Sequence, residues 1–170
     1  DAPVNSGTLD DLAGELNIDA ASGTNRLMVS DFGDLDPDTV TIDSDKITAA
    51  NHADINYIAT SGNFGQDVHV VTGKGDDTIS VDTIRTNDLT FIDANLGNDT
   101  VTVAETVVQG RIEIDGGGGT DTLDASASGI KTVLIGGLGG DELIGSSHAD
   151  LLIGDLAPVT RDQDTRALMQ

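Results

Sequence analysis

The chain has no cysteine and no tryptophan, and only one tyrosine, three phenylalanines and three prolines among 170 residues. Without cysteine it has no disulfide staples, so a secreted chain of this kind needs another cross-link, either a metal or stacking. Aromatic residues make up 2% of the chain, which removes the side chains that usually supply much of a globular core. A thin core of stacked aliphatic residues does not need them. Basic residues are scarce too: 8 Lys and Arg stand against 30 Asp and Glu, a formal net charge of −22. Such a chain repels phosphates and anionic headgroups, so nucleic acid and membrane surfaces are not expected partners. No apolar run approaches the ~20 residues of a membrane span. No signal peptide is recognisable, and the abrupt start at Asp1 leads us to expect a processed chain or part of a longer one.

Hydrophobic residues, many of them Val, Ile and Leu, make up 37% of the chain, so a buried core is feasible despite the charge. The 21 glycines fall into a repeat. Thr72-Gly-Lys-Gly-Asp-Asp-Thr-Ile-Ser80 recurs as Ala94-Asn-Leu-Gly-Asn-Asp-Thr-Val-Thr102, then as Gly116-Gly-Gly-Gly-Thr-Asp-Thr-Leu-Asp124 and Gly136-Gly-Leu-Gly-Gly-Asp-Glu-Leu-Ile144. Its aspartates, Asp77, Asp99, Asp121 and Asp141, are spaced by 22, 22 and 20 residues, and Asp54 extends the series upstream. Halfway between lie other turns, at Gly65–Asp67, Asn87–Asp88, Gly110, Gly129 and His148–Asp150. Each period therefore holds two strands and two turns.

Thr78–Asp82, Thr100–Val103 and Arg111–Ile114 alternate polar and apolar residues, the period of a half-buried strand. The expected fold is an all-β, right-handed parallel β-solenoid, a β-roll or β-helix, with about 20–22 residues and two strands per coil. An antiparallel sandwich also gives short strands at such spacing, but it does not require the same six-residue turn after every second strand. The regular coils are expected at 61–155. Residues 1–60 read as irregular β-rich coils or a cap, with Thr8 to Leu16 a candidate short helix capped by Thr8. Residues 156–170 read as a tail or linker.

In a parallel stack, equivalent residues of neighbouring coils lie ~4.8 Å apart. The repeated aspartates would form a column of carboxylates, repelling by roughly 1 kcal/mol per pair in water and more where the edge is dry. A lone aspartate there would simply cap its turn. Four aligned copies favour a calcium ion, which takes 6–8 oxygen ligands in flexible geometry.

Gly116–Asp124 and Gly136–Ile144 match the repeats-in-toxin (haemolysin-type) calcium-binding nonapeptide at every specified position, and Gly145–Ile153 looks like its degenerate form. The resemblance implies a bacterial β-roll that folds on meeting extracellular calcium. By the same analogy the ligands would be Asp77, Asp99, Asp121, Asp141 and Asp150, with the carbonyls of Gly73, Gly75, Gly97, Gly117, Gly119, Gly137 and Gly139. The step departs from the family: its same-edge turns recur every 18 residues, against 20–22 here.

Three histidines, His52, His69 and His148, are too dispersed for a zinc site, and two of them read as turn residues. Carboxylate pairs abound, but scarce aromatic and basic residues argue against a sugar-cleaving cleft. The expected function is a non-catalytic calcium-binding structural module of a secreted bacterial surface, matrix or adhesin protein. Its expected partners are calcium ions, neighbouring repeats or copies of itself, and extracellular glycan. The alternatives are a glycan- or partner-binding module, and a secretion or folding module of a larger extracellular enzyme.

Overall fold

The computed structural model describes residues 8–155 apart from 11, 87, 107 and 108, and those residues are all-β. The expected tail at 156–170 lies outside them. In chain order the strands are β1 (Leu16–Asp19), β2 (Ser22–Ser30), β3 (Thr39–Ile42), β4 (Lys46–Ala49), β5 (Ile55–Ile58), β6 (Ser61–Val71) and β7 (Thr78–Val81). They continue as β8 (Leu89–Asp93), β9 (Thr100–Val103), β10 (Arg111–Gly118), β11 (Thr122–Asp124), β12 (Thr132–Leu138), β13 (Glu142–Ile144) and β14 (Leu151–Asp155). No helix occurs among the described residues. The candidate helix near Thr8 is instead a single turn, in which the Leu12 N–H donates to the Leu9 carbonyl before the chain enters β1.

Two sheets result. The first has eight strands in the order β1-β5-β4-β3-β7-β9-β11-β13, the second six in the order β14-β12-β10-β8-β6-β2. From β6 onward successive strands alternate between the sheets, and each pairs in parallel with the strand two places away. The register follows the sequence period: Ile79 lies beside Val101, Val101 beside Leu123 and Leu123 beside Leu143.

Upstream the second sheet keeps this pattern, with β2 parallel to β6 and Leu27 beside Val68. The first sheet does not. β3 runs parallel to β7, but β4 is antiparallel to both β3 and β5, so the sheet is mixed. The all-parallel expectation is corrected here. Between β3 and β6 the chain makes an antiparallel excursion, and Thr39 therefore pairs with Thr78, 39 residues on. A two-strand antiparallel excursion needs only short turns, whereas parallel neighbours need long crossovers.

Period-2 alternation sends one face of each strand inward. Val40, Ile79, Val101 and Leu123 from the first sheet meet Val70, Ile92, Ile114 and Leu134 from the second in one core. The threonines between them, Thr78 and Thr100, face solvent, as strand chemistry on a wet face requires. Two of the four aromatics lie where the excursion joins. Tyr57 and Phe64 are buried edge to face with centroids 5.6 Å apart, and the Tyr57 hydroxyl donates to the Asp43 carbonyl. Bulk is needed there because the simple aliphatic stacking is interrupted. In the second sheet Leu89, Val133 and Ile135 form a smaller cluster apart from the main core.

Leu123 is wholly buried, with a core residue on each side in register, whereas Leu35 is 71% exposed in its turn. Leu123→Ala should cost roughly 2–5 kcal/mol in urea unfolding and Leu35→Ala within about 0.5 kcal/mol. Equal losses at the two positions would contradict this register.

Candidate metal centre

The turns leading from the second sheet into the first carry the repeated aspartates. Their backbones nest closely. At Gly119, φ is +149°, and an added Cβ would lie 1.6 Å from the Gly97 carbonyl oxygen. Only glycine allows this approach. The carbonyls of Gly75, Gly117 and Gly119 likewise press against the next turn, at Gly97, Gly137 and Gly139. The Gly73 carbonyl accepts a hydrogen bond from Asn95 Nδ2 at 2.7 Å.

This nesting stacks the aspartates into a ladder. Oδ1 of each accepts the backbone N–H of the aspartate one turn earlier. Asp77 N–H donates to Asp99 (2.7 Å), Asp99 N–H to Asp121 (2.9 Å) and Asp121 N–H to Asp141 (3.0 Å). The upstream rung is Asp38, whose N–H donates to Asp77 Oδ1 at 2.8 Å. The column therefore continues upstream through Asp38 and not through Asp54. Asp54 lies by the excursion, half-exposed, in an ion pair with Lys46. A signal for Asp38 was present in the sequence: Asp38-Thr-Val, Asp77-Thr-Ile, Asp99-Thr-Val and Asp121-Thr-Leu share one pattern. The 39-residue step across the excursion conceals it.

The second carboxylate oxygen is what distinguishes these residues from ordinary turn caps. Oδ2 of Asp99, Asp121 and Asp141 is buried without a hydrogen-bond partner. That of Asp77 is buried with no partner in normal geometry, although the Thr72 hydroxyl and the Gly73 N–H lie close enough to its carboxylate to favour the charged form. None of the Lys and Arg ion pairs Arg26–Asp67, Lys46–Asp54 and Arg85–Asp88 involves a column aspartate. Lys74, within one of the column's turns, places its ammonium over the Phe32 ring, 5.3 Å from the centroid. Burial, reinforced by the neighbouring carboxylates, pushes Asp99 up to about 7 and Asp121 to about 6. Asp38 rises to about 6 and Asp77 rises as well, again chiefly through burial. Buried, unpaired oxygens of like charge are the donor set a hard cation takes. On that ground the Oδ2 atoms of successive column turns are candidate anionic ligands for calcium, although among the described residues no three column carboxylates lie within 4.8 Å of one another.

Asp150 stands apart, at the opposite edge of the stack. Its Oδ1 accepts the Thr132 N–H at 2.7 Å, and the Ser146 hydroxyl donates to its carboxylate. That edge satisfies its acids within the protein. Buried Asp67 is paired with Arg26 at 2.6 Å, and buried Asp88 with Arg85 at 3.3 Å. His52 and His148 do lie in turns, with His52 Nδ1 beside the Ala53 carbonyl and the His148 N–H on the Ser146 hydroxyl.

No family model, curated protein or solved structure matches the chain, so the likeness to the calcium-binding nonapeptide rests on the turn residues themselves.

The raised values carry a sign. For Asp99 and Asp121 the folded state holds its protons more tightly than a free carboxylate near 3.8. Folding therefore binds protons, and without metal this contribution is present at acid pH and lost as pH rises through about 6 to 7. Melting of the chelated protein should shift to lower temperature between pH 5 and pH 8. A metal-free midpoint that is constant or rises across that window would refute the assignment.

Proposed function

We propose that the chain is a non-catalytic, calcium-stiffened structural module of a secreted bacterial surface, matrix or adhesin protein, built as a parallel β-solenoid. The carrying observation is the column of aspartates whose Oδ2 atoms are buried without a hydrogen-bond partner and whose carboxylates form none of the Lys or Arg ion pairs seen among the described residues. Alternation between the sheets and in-register parallel pairing over 20–22 residues support the solenoid reading. The complete nonapeptides at Gly116–Asp124 and Gly136–Ile144 support kinship with the repeats-in-toxin family.

In this reading calcium converts a repulsive column into a set of bonds. Asp77, Asp99, Asp121 and Asp141 supply charge, and turn carbonyls complete the oxygen set. Metal binding then becomes folding free energy, because the unfolded chain does not hold these oxygens together. Calcium is scarce inside cells and abundant outside them, so the folded state would be favoured after export. The lack of cysteine is consistent with metal as the staple.

Asp99→Asn separates a ligand from a turn cap. Asparagine keeps the Oδ1 acceptor for the Asp77 N–H but removes the charge. In chelator at pH 8 the variant should melt above the parent chain, and in millimolar calcium below it. Thermal melting by circular dichroism, with and without chelator, reads both arms. If calcium leaves the parent's melting point and spectrum unchanged, the proposed function fails.

A further inference from the structure

A second group of acids lies off the column, where the N-terminal segment meets the turn after β2. Asp10, Asp31 and Asp34 each bring a carboxylate oxygen within 4.8 Å of the others, the only such trio among the described residues. Asp10 is exposed, while Asp31 and Asp34 are each 4% exposed. Oδ1 of Asp31 accepts the Leu9 N–H at 2.6 Å, and Oδ1 of Asp34 accepts the Leu35 and Asp36 N–H groups at 2.7 and 3.2 Å. Oδ2 of both is buried without any hydrogen-bond partner. Among the described residues no Lys or Arg ion pair reaches the three, and the basic group acting on Asp31 is His52. Two buried, unpartnered carboxylate oxygens beside a third, solvent-open carboxylate make an incomplete ligand set with an open side.

We propose that Asp10, Asp31 and Asp34 form a separate calcium site that fastens the N-terminal segment to the first turn of the stack. Two oxygens each about 2.4 Å from one calcium can be up to about 4.8 Å apart, whereas magnesium at about 2.1 Å demands a tighter set. The site does not use the repeated aspartate. Asp34 occupies the turn position held by Gly73, Asn95, Gly117 and Gly137 in later turns, and Asp31 precedes the turn. Its neighbour Asn51 ties it to the rest, donating to Asp10 Oδ1 at 2.9 Å and also to Asp38. A cation here would cross-link Asp10 to Asp31 beside the hydrogen bond that the Leu9 N–H donates to Asp31 Oδ1.

The test uses the full chain, with calcium alone as the ligand, titrated calorimetrically with a metal count. Asp10→Asn, at an exposed position, should remove one bound ion per chain or weaken it at least about tenfold. It should also abolish the calcium-induced protection of the Leu9 and Leu12 amides in hydrogen exchange, with the strand amides unchanged. Asp31→Asn should reproduce both effects. Retention of the parent's stoichiometry, affinity and Leu9 protection in Asp10→Asn overturns the proposal. An Asp121→Asn/Asp141→Asn chain separates it from the column: this variant should keep the ion that Asp10→Asn removes. If it binds no calcium at all, the N-terminal site is refuted. If only that ion was ever bound, the site stands and the column reading falls.

Discussion

Parallel, in-register stacking is the constraint from which the rest of this structure follows. It sets like side chains one above another at ~4.8 Å, which favours valine over valine and penalises carboxylate over carboxylate. The chain answers the second problem halfway. Each column aspartate lends one oxygen to the backbone amide of the turn before it, which satisfies a donor that the bend would otherwise orphan. The other oxygen remains buried and unsatisfied. Asparagine would make the same amide bond with no repulsion, so the choice of aspartate in five successive turns from Asp38 to Asp141 is hard to explain by capping alone.

The two edges of the stack make the contrast sharp. On one, the buried acids Asp67 and Asp88 have arginine partners. On the other, no arginine or lysine forms an ion pair with the column, and the one nearby lysine lies over a phenylalanine ring. Two of the eight basic residues, Arg26 and Arg85, pair with buried acids at the first of these edges. The turns of the unpaired edge hold glycine at positive φ at Gly97, Gly119 and Gly139, against Gly110 at the other edge. Close backbone nesting and unpaired charge therefore occur together, and nesting is what draws the carboxylates into register.

Much of this was legible in the sequence because stacking makes local pattern and global contact the same thing. The 22-residue steps from Asp77 to Asp121 became the rungs of the ladder, and Ile79, Val101 and Leu123 became one core column. Legibility failed where stacking is interrupted. The excursion between β3 and β6 stretches the step to 39 residues, so the regular spacing points to Asp54 as the next rung and passes over Asp38. The antiparallel pairing of β4 was invisible for the same reason, since a short strand reads alike in either direction. Asp31 and Asp34 were hidden differently: they meet Asp10 through tertiary contact and belong to no repeat.

The ladder also fixes how perturbation spreads. Asp99 accepts from Asp77 through its side chain and donates to Asp121 through its backbone, so every rung belongs to two steps at once. Removing charge from one rung relieves the repulsion felt by both neighbours, and displacing its backbone breaks a hydrogen bond on each side. Stability in such an array is a sum of nearest-neighbour terms, and its ends are the weak members because they have one neighbour instead of two. The N-terminal end of the column, at Asp38, is also where Asn51 connects to Asp10 and where the acids Asp31 and Asp34 gather. Charge repulsion is thus least shared at the place where a further cluster of carboxylates is added. A cation held there would act on the weakest rung, and through the ladder its effect would extend to turns it does not touch.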